Sequence, residues 1–233
     1  MASLNSEIES ILIKQGASLV GFADISSLSA ETRNSMRSAV SIAVALDPSV
    51  IKGISKGPTT DYYQEYCRAN QLLSNLCKTA ANFLKQKGFN AVIVEPTVKE
   101  LDFKTLTTNF QHKTAATRAG LGWIGKSALL VTEKYGSAVR IATVLTDAEL
   151  EVGEPIDNSR CGNCNKCVEQ CPVSAIIGRN WSAGMKREKI VDAFKCCDNA
   201  RKMSKDIGLS ATICGVCISA CPWTQKYISR RNT

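Results

Sequence analysis

The chain has 233 residues, of which 44% are hydrophobic, and its formal net charge is +8. This apolar share is typical of an ordinary globular protein, and the length allows one large domain or two modest ones. No apolar run reaches the roughly 18 residues that a transmembrane helix requires, so the sequence predicts no membrane span.

The first 155 residues predict alternating helices and strands. Apolar spacing and glycine stops predict helices over residues 6–15, 60–87 and 112–119. Apolar runs predict strands over residues 18–22, 39–46, 91–94, 128–131 and 138–145. An acidic linker at residues 149–156 follows, which predicts a mixed α/β domain over 1–155 and a second domain over 156–233.

A glycine-rich segment precedes the last two strands. Gly120, Gly122 and Gly125 fall within six residues and are interleaved with Trp123 and Lys126. No strand precedes the segment, so it lacks the context of a dinucleotide-binding motif. Glycines permit close backbone approach, which indicates a loop against a flat or anionic ligand. A plain tight turn is the alternative.

The cysteines of the last third follow the spacing of two-cluster ferredoxins. Residues 161–172 read C-x2-C-x2-C-x3-C-P, and a second run closes the pattern at residues 214–222. Three thiolates on such a loop hold one 4Fe-4S cubane, and the cysteine before the proline ligates the other. The spacing predicts a first cluster held by Cys161, Cys164, Cys167 and Cys221. It predicts a second cluster held by Cys171, Cys214, Cys217 and either Cys196 or Cys197.

Zinc and disulfides are the alternatives for these cysteines. Two C-x2-C pairs can form a zinc ribbon, but each run here has a further cysteine three residues on, followed by proline. The N-terminus has no basic segment and long apolar core of a secretory signal. The cysteines therefore indicate metal in a reducing compartment, and we expect a cytoplasmic protein that transfers single electrons.

Several motifs, taken in order, resemble epoxyqueuosine reductase and its relatives, the reductive dehalogenases. They are Ala119-Gly-Leu-Gly-Trp-Ile-Gly-Lys126, the strands after it, Cys161-Gly-Asn-Cys164 and Cys217-Ile-Ser-Ala-Cys221-Pro-Trp223. The resemblance implies a nitroreductase-like sandwich that binds cobalamin, followed by a ferredoxin-like domain with two 4Fe-4S clusters. It implies that the corrin lies against Gly120, Gly122, Trp123, Gly125 and Lys126. It also favours Cys196 over Cys197, because the stretch Asp192-Ala-Phe-Lys-Cys196 fits the spacing of that family.

The chain also departs from the resembling reductases. It has no C-terminal helical repeats after Trp223, so we do not expect tRNA as a partner. The position of the family's catalytic aspartate falls near Leu106, and the nearest aspartate is Asp102. Asp102, His112 and Tyr66 are the remaining candidates for a catalytic proton donor.

Three functions remain open. The first is a reductase in which a ferredoxin or flavodoxin supplies electrons, which pass through both clusters to cobalamin and then to a small substrate. The second is an electron-transfer or activating protein for a partner corrinoid or redox enzyme, and tRNA modification with a separate binding subunit is a third. On the first hypothesis, Gly122→Val should weaken cobalamin binding and leave the iron content intact.

Overall fold

The computed structural model describes residues 3–97 and 104–230. The helices are α1 (Leu4–Lys14), α2 (Pro48–Lys52), α3 (Thr60–Gln86), α4 (His112–Arg118), α5 (Lys166–Glu169), α6 (Ala193–Asp206), α7 (Val216–Ala220) and α8 (Pro222–Ser229). The strands are β1 (Leu19–Asp24), β2 (Ser38–Ala45), β3 (Ala91–Val94), β4 (Trp123–Ile124), β5 (Leu130–Val131) and β6 (Val139–Thr146). A 3₁₀ turn spans Arg187–Lys189. The predicted mixed α/β character is therefore confirmed.

The chain divides into two compact units that are not consecutive in sequence. The first unit comprises residues 1–45, 69–121 and 140–156, and the second comprises residues 46–68, 122–139 and 157–233. The second unit therefore takes in two segments that precede residue 140. Their own contacts explain this, because Leu46 donates its backbone N–H to Ala138 and Ser137 N–H bonds Thr224 Oγ1. The predicted domain boundary at 155 stays a prediction.

A four-stranded sheet organises the first unit, in the order β1-β2-β6-β3. Strands β1 and β2 pair antiparallel, with Phe22 opposite Val40, and β3 pairs antiparallel with β6. Seven of the eight residues of β2 are buried, as its continuous apolar run predicts for a central strand. α4 packs on β1 and β2, and α1 packs on β1.

The long helix α3 presents the apolar stripe that its sequence predicts. Leu73, Cys77 and Leu84 are completely buried along one face. Burial raises the pKa of the Cys77 thiol to about 12, with a smaller contribution from the charge of Glu95. Cys77 is therefore a neutral core residue that packs as a small hydrophobe.

The second unit is built from short elements around a small core. Strands β4 and β5 form a two-stranded antiparallel sheet in which Trp123 faces Val131. The predicted strands 128–131 and 138–145 are both present as β5 and β6, but they belong to different sheets. A separate core cluster packs against the side chains of three cysteines, and it consists of Ala128, Ala175, Ile176, Trp181, Ile190 and Val191.

His112 begins α4 and is held by two hydrogen bonds within the first unit. Its Nε2 lies 3.0 Å from the carbonyl oxygen of Glu95, so that nitrogen carries the proton, and Nδ1 lies 2.9 Å from Thr143 Oγ1. Burial lowers the pKa of His112 to about 4, and the nearby Arg140 charge contributes to the lowering. The folded protein therefore keeps this ring neutral.

We predict an acid-sensitive contribution of His112 to stability. In the unfolded chain His112 binds a proton below about pH 6.5, whereas in the folded protein it does so only below about pH 4. The free energy of unfolding therefore falls as the pH falls through this range. The loss approaches a limit of about 3.4 kcal/mol once the pH is well below 4. Urea unfolding measures the free energy of unfolding at pH 7.5 and pH 4.5. The decrease between these two pH values should be smaller in His112→Gln than in the wild type. Equal losses in the two proteins would contradict this assignment.

Candidate iron–sulfur site

The structure brings four of the predicted ligands together around one cavity in the second unit. The cavity has a volume of about 90 Å³. Its wall consists of Gly125, Lys126, Ser127, Val131, Cys161, Cys164, Cys167, Cys221, Pro222 and Trp223. The three cysteines of the first run and the last cysteine of the second therefore share one site, in the combination that the ferredoxin pattern requires.

Local structure explains how this first group of cysteines is presented. Cys164 N–H donates to the carbonyl of Cys161, which closes a turn, and Gly162 adopts a φ of +54° within it. Cys221 is the N-cap of α8, and Pro222 occupies the first helical position, where the missing N–H costs nothing. The proline after the last cysteine thus starts the helix that carries the fourth ligand.

The thiols of the first group interact with one another electrostatically. Burial raises the pKa of the Cys167 thiol to about 11, and the neighbouring Cys161, Cys221 and Cys164 raise it further in that order. Without iron, the Cys167 thiol therefore stays protonated at neutral pH. Ligation requires thiolates, so loading the site with iron must release protons.

A second group of thiols lies in the same unit. Burial raises the pKa of Cys217 well above its ordinary value, and four neighbouring thiols add to the effect, namely Cys196, Cys214, Cys167 and Cys171. Burial and then Cys171 raise the pKa of Cys214, although a hydrogen bond from the backbone of Val216 opposes them. The predicted ligands of the second cluster are therefore mutual neighbours.

The two groups approach each other through one pair of thiols. Cys167 of the first group is among the thiols that raise the pKa of Cys217 in the second. Both side chains, together with Cys171, pack against the small core of the second unit. The four-residue helix α5, which carries Cys167, contacts α7, which carries Cys217.

Cys196 interacts electrostatically with the other predicted ligands of the second group. Asp192 caps α6 by accepting a hydrogen bond from Lys195 N–H at 3.0 Å. Burial raises the pKa of Cys196, followed by the charges of Cys214 and Cys171. Cys196 is also among the thiols that raise the pKa of Cys217. The choice of Cys196 stays a prediction.

The glycine-rich loop packs against protein rather than presenting a free face. A side chain on Gly122 would meet the carbonyl oxygen of Val131 at 2.2 Å, and one on Gly125 would meet Val131 Cγ2 at 2.8 Å. A side chain on Gly125 would also lie 3.5 Å from the sulfur of Cys161. The close approach inferred from the sequence is therefore present, but the partner is strand β5 and the first cysteine group.

The other residues that the resemblance assigned to the corrin are also occupied within the protein. Trp123 is fully buried and meets Trp223 edge to face, with ring centroids 5.1 Å apart. Lys126 is 4% exposed and donates a hydrogen bond to Asn165 Oδ1 at 2.9 Å. In the first unit, a side chain on Gly120 would meet the carbonyl oxygen of Glu154 at 2.7 Å. Trp123 and Lys126 therefore offer almost no free surface, whereas Gly120 is exposed, and the predicted corrin contact stays a prediction.

The structure describes two of the three catalytic candidates, and they belong to different units. His112 lies in the first unit with both ring nitrogens bonded, and Tyr66 lies half-buried in the second unit. Asp102 lies outside the described residues. Asn165 and Val131 are the site residues that the sequence did not reveal. Asn165 could have been suspected from its place between Cys164 and Cys167, but Val131 carries no such signal.

Comparisons with known proteins agree with this site. Residues 160–224 match the family described as a 4Fe-4S double cluster binding domain. Epoxyqueuosine reductase of Synechocystis is 30% identical over 131 residues, which cover 52% of this chain and 42% of the relative. Epoxyqueuosine reductase of Vibrio cholerae is 28% identical over 177 residues, covering 71% of this chain and 44% of the relative. The chain therefore spans less than half the length of these relatives.

Solved structures share the fold. An epoxyqueuosine reductase in complex with a tRNA stem loop has a TM-score of 0.65 at 20% identity, covering 95% of this chain and 65% of its own. A reductive dehalogenase has a TM-score of 0.71 at 20% identity, covering 94% of this chain and 32% of its own. The resemblance to both groups is confirmed. The cysteine cavity and the family match at residues 160–224 together support a double 4Fe-4S cluster binding segment.

One expectation is wrong. We expected no tRNA partner because helical repeats are missing after Trp223, yet the epoxyqueuosine reductase that shares this fold was solved with an epoxyqueuosine-modified tRNA stem loop. The fold common to that protein and this chain therefore gives no ground for excluding tRNA. Separately, none of the helices within residues 3–97 and 104–230 combines the length and apolar character that crossing a membrane would require.

The choice between the two adjacent cysteines is directly testable. Cys196→Ser should lose one cluster, reducing the iron content from about eight to about four atoms per chain. Cys197→Ser, the matched control one residue further along α6, should retain both clusters. Iron analysis and electron paramagnetic resonance of anaerobically reconstituted protein measure this, and the reverse pattern would assign Cys197 as the ligand.

The packing of the glycine loop changes the expected effect of Gly122→Val. Because the added Cβ would lie 2.2 Å from a backbone oxygen of β5, the β4–β5 sheet must move, at a cost of about 3 kcal/mol. We therefore expect Gly122→Val to lose iron from the first cluster, whereas the sequence alone predicts that its iron content stays intact. Gly53→Ala, which makes a milder 3.3 Å contact at a φ of −76°, is the control and should keep its iron. Full iron content in Gly122→Val would contradict this role for the loop.

Proposed function

We propose that this protein carries single electrons at low potential through two 4Fe-4S clusters and delivers them to a reductive reaction. The first cluster would be held by Cys161, Cys164, Cys167 and Cys221. The second would be held by Cys171, Cys196, Cys214 and Cys217. The observation that carries the proposal is the single cavity lined by the first four thiols, which come from two distant parts of the sequence.

The type of reaction, one-electron transfer, follows from the cofactor that these thiols can hold. A 4Fe-4S cluster accepts and releases one electron without forming or breaking a bond to substrate. A ferredoxin or flavodoxin would supply the electron, and the protein would set the potentials through burial and nearby charge. The cysteine chemistry also supports the proposal of a cytoplasmic location.

The substrate proposed here follows the relatives. Proteins called epoxyqueuosine reductase match both the sequence and the fold of this chain, and one was solved with an epoxyqueuosine-modified tRNA stem loop. We therefore propose reduction of a modified nucleoside of this kind as the first reaction to test. A small free molecule is the second substrate class, because the chain matches less than half of the relatives' length.

Cobalamin, in a nitroreductase-like sandwich, is proposed as the electron acceptor on resemblance alone. One structural neighbour is a reductive dehalogenase whose structure suggests a mechanism for B12-dependent dehalogenation. The glycine-loop residues do not fit that role, because Trp123 and Lys126 are buried and Gly122 and Gly125 pack on β5. We therefore derive no step through cobalamin from these residues.

The second candidate is an electron-transfer or activating protein without its own substrate. The burial of the glycine loop favours it, since that loop was the predicted cofactor contact. In this case the electron would leave the clusters for a partner corrinoid or other redox enzyme. The two candidates share the clusters and differ in whether this chain binds the acceptor itself.

One series of measurements tests the proposal. Anaerobically reconstituted protein should contain about eight irons and eight sulfides, since two cubanes are proposed. Titration with cobalamin should then show binding at tens of micromolar, roughly 6 kcal/mol. Zinc in place of iron would contradict both candidates. Full iron content without cobalamin binding would leave the electron-transfer candidate in first place.

A further inference from the structure

Lys126 is a buried cation in the wall of the first cysteine cavity. Only 4% of the surface of Lys126 is exposed to solvent. The same cavity is lined by Cys161, Cys164, Cys167 and Cys221. Its ammonium donates to Asn165 Oδ1 at 2.9 Å. Asn165 stands between Cys164 and Cys167 in the sequence, so the hydrogen bond joins the ammonium to the loop that carries the first three ligands.

This ammonium has no anionic protein group beside it in the part of the chain that the structure describes. Across residues 3–97 and 104–230, no carboxylate pairs with Lys126 Nζ at salt-bridge distance, and its observed partner is a neutral amide. Burying a charge is costly unless an opposite charge compensates it. The buried ammonium of Lys126 therefore indicates that the cavity binds an anion.

A 4Fe-4S cluster supplies that anion. Four thiolates around an oxidised cluster core carry a net charge of about −2, because coordinating thiols are deprotonated. Reduction by one electron makes the cluster more negative. A neighbouring buried cation stabilises the reduced form more than the oxidised form, and so raises the reduction potential.

We propose that Lys126 is the counter-charge of the first cluster and makes it the more easily reduced of the two. This inference rests on the two-cluster function proposed above and adds to it the order of the potentials. It gives Lys126 an electrostatic role at the cluster in place of the corrin contact that the sequence indicated. Asn165 is the positioning residue, because it fixes where the ammonium lies.

A carboxylate lies near the second group of thiols. Asp192 is the N-cap of α6, the helix that carries Cys196, and its negative charge is among the causes that raise the pKa of Cys196. A negative charge beside a cluster disfavours the extra electron. Lys126 and Asp192 therefore act in the same sense, lifting the potential of the first cluster and lowering that of the second.

The order of potentials sets the direction of electron transfer. One electron would leave the reduced second cluster and enter the oxidised first cluster, with no bond formed or broken and no proton transferred. Cys217 and Cys167, which interact across the two groups, mark where the clusters approach each other. The external donor is a low-potential reductant, either a ferredoxin-type protein or dithionite in the test.

The experiment is a potentiometric titration of the reconstituted full chain with dithionite, followed by electron paramagnetic resonance. The wild type should show two one-electron waves. In Lys126→Met the midpoint potential of the first cluster should fall by at least 59 mV, so that the ratio of reduced to oxidised first cluster at a fixed potential falls at least tenfold. The midpoint potential of the second cluster should not change. Lys126→Arg should retain the wild-type potential. Lys166→Met is the matched control, because Lys166 is 64% exposed and its loss should move neither wave.

The outcomes separate this inference from the proposed function. A wild type holding fewer than two clusters contradicts the proposed function. A two-cluster wild type in which Lys126→Met shifts neither wave, or shifts both equally, overturns the counter-charge alone. If Lys126→Met does not assemble its first cluster, Asn165→Asp makes the same comparison, because a carboxylate there cancels the ammonium without removing it. An unshifted first wave in Asn165→Asp also overturns the inference.

Discussion

The second unit depends on one constraint, which is that Cys221 must stand beside a cysteine loop that lies 60 positions earlier in the sequence. The sheet of β4 and β5 provides the means. Trp123 of β4 packs edge to face on Trp223, and the backbone N–H of Ser137 bonds Thr224 Oγ1 at 3.0 Å. Both contacts act on the first turn of α8, immediately after Cys221. This explains why residues 122–139 belong with the cysteines although they precede them in sequence.

The glycines of this region serve the same constraint. A side chain on Gly136 would lie 2.2 Å from the backbone nitrogen of Thr224, so only glycine allows the turn after β5 to reach α8. Gly122 and Gly125 allow β4 and β5 to close on each other beside Cys161. The contacts of this glycine-rich segment thus position Cys221 beside the first group of cysteines.

Much of this could be predicted from sequence because the informative patterns are local. Spacing within 161–172 indicates the ligand loop, and the apolar run of β2 indicates a central strand. The two-residue strand β4 is too short to show a period of two, so it was missed. The glycines indicated close approach correctly, but sequence does not say which group comes close. The interleaved units follow from contacts between distant residues such as Leu46 and Ala138, which no local pattern encodes.

Cluster loading and the folding of the second unit are physically coupled. Its core is small, and Cys167, Cys171 and Cys217 pack directly against it. Without iron, the thiols of Cys167 and Cys217 would stay neutral, because burial raises the pKa of both, and the ammonium of Lys126 would have no opposite charge beside it. With iron, the thiols become thiolates that share the charge of the cluster, and the ammonium gains its opposite charge. The free energy of iron binding is therefore in part the free energy of folding of this unit, and the buried lysine that is unfavourable in the empty site becomes stabilising in the loaded one.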